Sequence, residues 1–260
     1  GITSGFVDVF ETTIRVLGGL VGAYALSKDE RLLDAAEAFA DALAPALAAS
    51  PSGIPFRGLA SLRDGVVSPA TGATCGAAPA GTLLLEFRAV ARLANRSDLE
   101  ALVLRSWRAL ERAQGRVRGL APSKLKMTAT GCAAQFVFGN QSKLTVGSGV
   151  DSYYEYLLKG DLQVKGSLRA WRAAVRAVDD HLVQVRGPTT FMADLEQNKT
   201  LGTRATHLAC FWPGLRALEA LFDPAHGKLA LAEALLDACV AAYDATTTGL
   251  APEAWHVDAD

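Results

Sequence analysis

The chain has 260 residues, of which 50% are hydrophobic and 20% are charged, and its formal net charge is -1. This length suits one large domain or part of a larger one, and the near-neutral charge gives no reason to expect nucleic acid or an anionic membrane as a partner. The sequence contains no uninterrupted apolar run of about 18 residues. A membrane attachment is therefore expected only through an anchor upstream of Gly1.

Apolar residues recur at helical spacing along most of the chain. Helices are predicted at 14–26, 32–47, 82–94, 98–114, 151–159, 166–185, 203–222 and 228–243. The connectors 50–81, 115–149 and 186–202 are rich in Gly, Pro and Ser, and they are long enough to form one end of a pocket and to contain short hairpins. Core-like helices alternate with more polar ones, which predicts an all-α ring of helical hairpins.

Carboxylates inside apolar helical segments are candidates for chemistry, because burying an unpaired charge is costly. Glu11 begins VFETTIRVLGG, and Arg15 follows one turn later. The same spacing fits an i,i+4 ion pair at a helix N-terminus. Glu86 follows three leucines in GTLLLEFRAVARL, either as a pocket residue or as the partner of Arg88 or Arg92.

Four further candidates lie in the second half of the chain. Asp151 and Glu155 share a helical face with Tyr154 in GSGVDSYYEYLLKG, a combination that suits sugar binding but also fits an N-cap Asp and a tyrosine-rich core. His207 in THLACFWPG is either a site residue or an ordinary core or surface histidine. Glu253 in TTTGLAPEAWH is either a site acid or an exposed loop acid.

Five of these segments together resemble the class I α-1,2-mannosidases, glycoside hydrolase family 47. They are FETTIRVLGGLVGAYALS (10–27), TLLLEFRAVARL (82–93), VDSYYEYLLKG (150–160), HLACFWPG (207–214) and TGLAPE (248–253). The resemblance implies an (α/α)7 barrel, of which residues 1–260 would be a partial catalytic domain. It also implies hydrolysis of terminal α-1,2-linked mannose from oligomannose N-glycans, with inversion and with a calcium ion at the base of the barrel.

The resemblance implies a role for most of the candidate residues. Glu11 would deliver a proton to the leaving oxygen, Asp151 would be a second essential acid, and Glu253 would be a further acid of the site. The substrate-binding residues would be Arg15, Glu86, Glu155 and His207, with Glu155 added from its position on the Asp151 helix. An inverting glycosidase needs an acid and a base whose carboxyls stand about 6.5–9.5 Å apart, leaving room for water.

The cysteines and glycosylation sequons bear on the compartment. The resemblance pairs Cys210 with Cys239 in a disulfide, whereas Cys75 and Cys132 match no family disulfide and are expected to be free or structural. Asn95, Asn140 and Asn198 each begin an N-x-[ST] sequon. Disulfides and N-glycans both form in the secretory pathway, which predicts a location in the lumen of the endoplasmic reticulum or the Golgi.

Two departures from the family pattern limit the interpretation. The family's base and its calcium-ligating Thr are expected beyond Asp260, so the chain is interpreted as a fragment that is inactive alone and contains no assigned metal ligand. Gly149 stands where some endoplasmic reticulum members have Arg, which leaves the glycan branch preference open. Two alternative functions remain: a degradation-enhancing mannosidase-like protein that marks misfolded glycoproteins, and a lectin-like module that binds mannose without cleaving it.

Overall fold

A computed structural model describes most of the chain. The described residues are 7–56, 58–68, 75–113, 117–121, 123–128, 131–136, 143–195 and 201–257. They divide into two compact units. The N-terminal unit comprises Gly1–Ala113 and Lys124–Val137, and the C-terminal unit comprises Gln114–Ser123 and Phe138–Asp260.

The N-terminal unit is mainly helical. Its helices are α1 (Val9–Thr12), α2 (Gly18–Ser27), α3 (Glu30–Ala48), α4 (Ala77–Gly81), α5 (Leu84–Leu93) and α6 (Ser97–Arg112). A π-helical turn, Thr13–Leu17, joins α1 to α2 in one helical run. Strands β1 (Val7–Asp8), β2 (Gly58–Ser61) and β3 (Val66–Ser68) form an antiparallel sheet, and β4 (Leu125–Thr128) pairs with β5 (Gly131–Phe136).

Helix α3 shows how the sequence builds this unit. It begins after Asp29, whose carboxylate accepts the backbone N–H of Arg31 at 3.1 Å and so satisfies one free donor of the helix N-terminus. One face of α3 is buried and packs against α5 and α6. The buried residues of this face are Leu33, Ala36, Ala40, Leu43, Ala46 and Leu47. Burying each of the leucines stabilises the unit by about 1.5–3 kcal/mol.

The C-terminal unit combines helices of 12–16 residues with short antiparallel strand pairs. Its helices are α7 (Asp151–Val164), α8 (Arg169–His181), α9 (Phe211–Phe222) and α10 (Leu229–Asp244). A 3-10 turn, His207–Cys210, leads into α9. Antiparallel pairs are formed by β6 (Val183–Arg186) with β7 (Thr189–Met192) and by β8 (Arg204–Thr206) with β9 (Ala254–His256).

An aromatic cluster holds three of these helices together. The fully buried Trp212 of α9 lies edge-on to Tyr154 of α7, with ring centroids 5.6 Å apart, and is tilted against Trp171 of α8 at 5.5 Å. Such pairs contribute about 0.5–1.5 kcal/mol beyond the burial of their surface. The Tyr154 hydroxyl also accepts the backbone N–H of Ala121 at 2.8 Å.

The predicted helices are confirmed, but the predicted bounds of two of them extend beyond the observed helices. The segment predicted as helix to 185 ends at His181 and continues into β6, and residues 204–206 of the segment predicted as helix from 203 form β8. β6 turns into β7 through Gly187 and Pro188, with Gly187 at φ 52. A positive φ at the first loop position is what a two-residue hairpin of this kind requires, and Gly adopts it without strain. The short hairpins expected in the connectors are present.

Two disulfides link described residues. One joins Cys210 to Cys239, the pair that the family resemblance implied. The other joins Cys75 to Cys132, so the expectation that these two cysteines are free or structural and not linked to each other was wrong. Cys75 forms an isolated antiparallel β-bridge, through its backbone, with Leu125 of β4. Cys132 of β5 lies opposite Met127 of β4 in the same hairpin. β4 therefore brings the two cysteines together, although 57 positions separate them in sequence.

The helical run Val9–Ser27 is long and apolar enough, by length and composition alone, to cross a membrane. It has 19 residues and a mean hydropathy of 1.3, and 17% of its apolar window is buried. Glu11 and Arg15 interrupt the run, which is why a search for uninterrupted apolar sequence passes over it. A signal sequence or the core helix of a soluble protein has the same composition, so this finding by itself assigns no membrane role.

Candidate active site

Glu11 lies in the first turn of α1, at the surface of the N-terminal unit. The Asp8 carboxylate caps this helix by accepting the backbone N–H of Glu11 at 3.1 Å. Arg15 donates from Nε to Glu11 Oε2 at 2.6 Å, and the two side chains are 73% and 46% exposed, respectively. The i,i+4 ion pair that the spacing allowed is therefore formed, and both groups are in contact with solvent.

Arg15 belongs to the π-helical turn, a feature that the periodicity of the sequence did not reveal. A π-helical turn has i→i+5 hydrogen bonds, and such turns are frequent at functional sites. The buried Thr13 opens the turn and donates its hydroxyl to the carbonyl of Val9 at 2.7 Å. Side-chain bonds of this kind compete with the helical ladder and bend helices. The adjacent Thr12 and Thr13 are the local sequence feature that could have indicated this turn.

Glu86 lies in the first turn of α5, against the same helical run. A Cβ added to Gly18 would lie 3.4 Å from Glu86 Cγ and 3.7 Å from Glu86 Oε1. The Glu86 side chain therefore lies at van der Waals distance from the position that a Cβ on Gly18 would occupy. The N-terminal unit therefore places Glu86 beside the run that also carries Glu11 and Arg15.

Asp151 is the first residue of α7, and the N-cap position belongs to Val150. Its carboxyl is partly buried, and this burial raises its pKa above the ordinary value of 3.8. Glu155, one turn later, adds to the rise because it has the same charge, whereas hydrogen bonding from the Ser152 backbone opposes it. Asp151 is thus a carboxyl for which desolvation outweighs a helix N-terminus, where a negative charge would otherwise be favoured.

The tyrosines next to Asp151 belong to the core. Tyr153, Tyr154 and Tyr156 are all buried, with Tyr154 fully so. Burial is also the main reason that the pKa of the Tyr154 hydroxyl is raised. Of the two alternatives that the sequence left open for this face, the tyrosine-rich core is the one that these rings form. Glu155 forms an i,i+4 ion pair with Lys159.

The β8–β9 pair brings His207 and Glu253 together. The backbone N–H of His207 donates to the carbonyl of Glu253 at 3.0 Å. The His207 ring hydrogen-bonds through Nε2 to the hydroxyl of Tyr243 on α10, with the two rings edge to face at 5.6 Å. Glu253 is exposed. Its surroundings match the loop position predicted for it.

The turn before α7 connects Asp151 to this group. Gly147 accepts the backbone N–H of Asp151 at 3.0 Å through its carbonyl. A Cβ added to Gly147 would lie 3.3 Å from Thr206 Oγ1, so the turn packs against the residue that precedes His207. The C-terminal unit therefore places the turn that precedes Asp151 against the residue that precedes His207, although the two lie far apart in sequence.

The profile of the family described as Glycosyl hydrolase family 47 matches residues 2–260. The chain belongs to glycosyl hydrolase family 47. It is similar to the endoplasmic reticulum mannosyl-oligosaccharide 1,2-alpha-mannosidase of Homo sapiens, with 33% identity over 257 residues that cover 96% of this chain and 36% of the relative. It is also similar to the mannosyl-oligosaccharide 1,2-alpha-mannosidase of Candida albicans, with 32% identity over 95% of this chain and 46% of the relative.

The human mannosyl-oligosaccharide 1,2-alpha-mannosidase IB gives a third comparison, with 33% identity over 97% of this chain and 39% of the relative. The family 47 chain thus spans less than half the length of these relatives. Among solved structures, it is similar to an alpha-1,2-mannosidase from Trichoderma reesei, with a TM-score of 0.80 and 23% identity, over 98% of this chain and 55% of that chain. This likeness shows a shared, mainly helical α/α-barrel fold.

Tyr243 is a candidate site residue of this family 47 chain that sequence reasoning did not select. A signal was available, because Tyr243 lies four residues after Cys239 and His207 lies three residues before Cys210. Each is therefore one helical turn from a disulfide cysteine. Pairing the cysteines thus brings the imidazole and the phenol near each other.

No group of three or more His, Cys, Asp or Glu side chains that could hold a metal ion lies in the described part of the chain. Calcium takes 6–8 oxygen ligands, usually with several carboxylates among them. The described residues therefore do not provide a calcium site by themselves.

Proposed function

We propose that the protein hydrolyses terminal α-1,2-linked mannose of oligomannose N-glycans, with inversion, in the lumen of the endoplasmic reticulum or the Golgi. Family membership over residues 2–260 supports the glycosidase class, and the names of the relatives support the linkage and the substrate. The observation in this chain that carries the proposal is the partly buried carboxyl of Asp151 at the start of α7.

Asp151 has the chemistry that proton transfer during glycoside hydrolysis requires. A catalytic carboxyl works best when its pKa approaches the working pH, since it must both hold and release a proton. Burial and the nearby Glu155 both raise the pKa of Asp151. We assign it the role of the second essential acid, acting on the water or on the leaving group of the mannoside.

Glu11 is assigned the delivery of a proton to the leaving oxygen. Its carboxyl lies 2.6 Å from the Nε of Arg15, so the acid stands beside an arginine that can bind sugar hydroxyls. Arg15 is exposed enough to reach sugar hydroxyls with its remaining donors.

The remaining candidates are assigned to mannose binding. Glu86 and Glu155 offer acceptor oxygens, which suit the hydroxyl groups of a sugar. His207 is held by Tyr243 on its ring and by the Glu253 carbonyl on its backbone, so its position is fixed before a sugar arrives. Glu253 adds an exposed carboxylate beside it. None of these assignments uses a calcium ion.

The test is hydrolysis of an oligomannose glycan that has terminal α-1,2-linked mannose. The whole protein is assayed, because the chain spans less than half the length of its relatives. Asp151→Asn is expected to lower kcat by about 100-fold or more, the usual contribution of a general acid or base. The matched control is Asp237→Asn, which changes an exposed carboxylate on α10 of the same unit and should leave kcat unchanged.

The stereochemistry and a binding assay complete the experiment. Proton NMR of the first mannose released should show the β anomer if the reaction inverts. Full turnover by Asp151→Asn would overturn the role assigned to this residue. Oligomannose binding without turnover in the wild-type protein, unchanged in Glu11→Gln and Asp151→Asn, would instead indicate a lectin-like module.

A further inference from the structure

The turn between α5 and α6 contains a sequon that the proposed activity does not use. Asn95, Arg96 and Ser97 form an N-x-[ST] sequence, the acceptor for N-linked glycans in secretory proteins. Both Asn95 and Ser97 are exposed, and neither side chain hydrogen-bonds to another described residue. The sequons at Asn140 and Asn198 lie outside the described residues.

The backbone of this turn presents Asn95 to solvent. Asn95 has φ 54 and follows the end of α5, while the N–H of Arg96 donates back to the carbonyl of Ala91 at 2.7 Å. This is the hydrogen bond of a Schellman motif, in which the residue at Asn95 adopts the left-handed conformation. The turn is therefore rigid and tight, and its tip residue carries the acceptor amide.

The side chain of Arg96, the middle residue of the sequon, forms ion pairs away from Asn95. Arg96 pairs with Glu37 and Asp41 of α3 at 2.7 and 2.8 Å, and with Asp98 at 2.7 Å. These bonds hold its long side chain against α3 and the start of α6. The one bulky group of the sequon thus has its own partners and leaves the Asn95 amide accessible.

We propose that Asn95 carries an N-linked glycan. The chain contains two disulfides among its described residues, which is typical of proteins that pass through an oxidising compartment where such glycans are added. The sugar donor is an oligosaccharide linked to a polyprenyl pyrophosphate, and a separate transferase catalyses the step. The Asn95 amide nitrogen forms a bond to C1 of the first sugar and loses one proton, while the C1–O bond breaks and the lipid pyrophosphate leaves with the electron pair.

The position of the glycan is compatible with the proposed activity. Glu86 lies at the start of α5 and Asn95 follows its end, roughly 13 Å away at 1.5 Å per residue. A glycan on Asn95 therefore extends from the end of α5 that is remote from Glu86. The modification also does not depend on catalysis, so an inactive Asp151→Asn protein would still carry it, and failure of one proposal is distinguishable from failure of the other.

An asparagine in this turn has a second explanation, which the experiment must separate from the first. Asn is favoured in the left-handed position of a helix C-terminus whether or not it is glycosylated. Two variants distinguish these causes. Ser97→Ala keeps Asn95 and its turn but removes the sequon hydroxyl, and Asn95→Gly keeps the left-handed backbone but removes the acceptor amide.

The chain is produced in a eukaryotic secretory host behind a cleavable signal peptide, and the peptide that spans residues 87–100 is analysed by mass spectrometry. In the wild type, Asn95 should be converted to aspartate by peptide N-glycosidase, the mark of a glycan that has been removed. Ser97→Ala and Asn95→Gly should each lose this glycan, whereas the conservative control Ser97→Thr should keep it. A wild-type peptide that is unmodified, or a Ser97→Ala protein that stays glycosylated at Asn95, would overturn the proposal.

Discussion

Arg96 in the N-terminal unit and Arg216 in the C-terminal unit both pair with several carboxylates, but in different surroundings. Arg96 lies near the surface and contacts Glu37, Asp41 and Asp98. The Arg216 side chain is fully buried, with Glu219 at 3.2 Å and Asp179 at 3.4 Å. Water screens the first set of charges and is excluded from the second. Loss of Arg216 is therefore expected to reduce the free energy of unfolding much more than loss of Arg96.

The pKa shifts of Asp98, Asp151 and Glu219 show how the surroundings of a carboxyl determine the direction of its shift. Hydrogen bonds from Arg96 lower the pKa of the exposed Asp98 to about 2. Burial instead raises the pKa of Asp151 and of Glu219, and for Glu219 it outweighs the opposing effect of Arg216. Desolvation therefore outweighs the opposing contacts at Asp151 and Glu219, whereas the hydrogen bonds from Arg96 prevail at the exposed Asp98.

The largest effect on stability is expected from Arg216→Met. The substitution keeps most of the apolar volume but leaves Glu219 and Asp179 buried without their guanidinium partner. Removing one member of a buried pair costs about 3–5 kcal/mol. Urea unfolding should show a loss of that size. The double variant Arg216→Met with Glu219→Met should be more stable than the single variant, and equal loss in both would contradict the burial argument.

An intermediate effect, visible as a dependence on pH, is expected from Glu219→Gln. The pKa of Glu219 is raised in the folded state above 4.5, so the folded protein binds more protons than the unfolded chain. Its contribution to stability is therefore present below pH 4.5 and is lost as the pH rises through the folded pKa. Glutamine cannot ionise and should remove this slope.

The measurement is the free energy of unfolding at a series of pH values from 4 to 8. The difference between wild type and Glu219→Gln should shift in favour of the variant as the pH rises. Glu233→Gln, which changes an exposed acid on α10, is the control and should leave the pH profile unaltered. A wild type that gains stability over the variant with rising pH would show that Arg216, and not burial, dominates at Glu219.

The smallest effect is expected from Arg96→Gln. Exposed ion pairs contribute little because water screens them and two flexible side chains must be ordered. The urea midpoint should change only slightly at low salt, and the change should vanish in high salt, where surface charges are screened. A large loss that persisted at high salt would show that Arg96 is as critical to its unit as Arg216 is to the other.

Much of the fold was predictable because an amphipathic helix has a recognisable pattern within its own segment of sequence. Apolar residues every three or four positions identified helices α2, α3 and α5–α10, since each must bury one face. The short strands were harder to place, because a strand of three or four residues has too little alternation to distinguish it from the end of a helix. β6 and β8 were lost at the ends of predicted helices for this reason.

The candidate residues were found from motifs, but their surroundings were not. The sequence left open whether Tyr154 belongs to the core or to a sugar site. It did not show that Thr13 opens a π-helical turn or that Tyr243 contacts His207. Each of these depends on which helix packs against which. A pattern within one helix carries no record of its neighbours.

The amino-acid sequence by itself determined the helical class, through its periodicity, and the family, through motifs that can be read along the chain. The resemblance to that family in turn implied the Cys210–Cys239 pair. Only the tertiary structure decided that Cys75 bonds to Cys132 and that burial raises the pKa of Asp151. The physical reason is that strand pairing and desolvation are set by contacts between residues far apart in sequence. Those contacts exist only once the chain has folded.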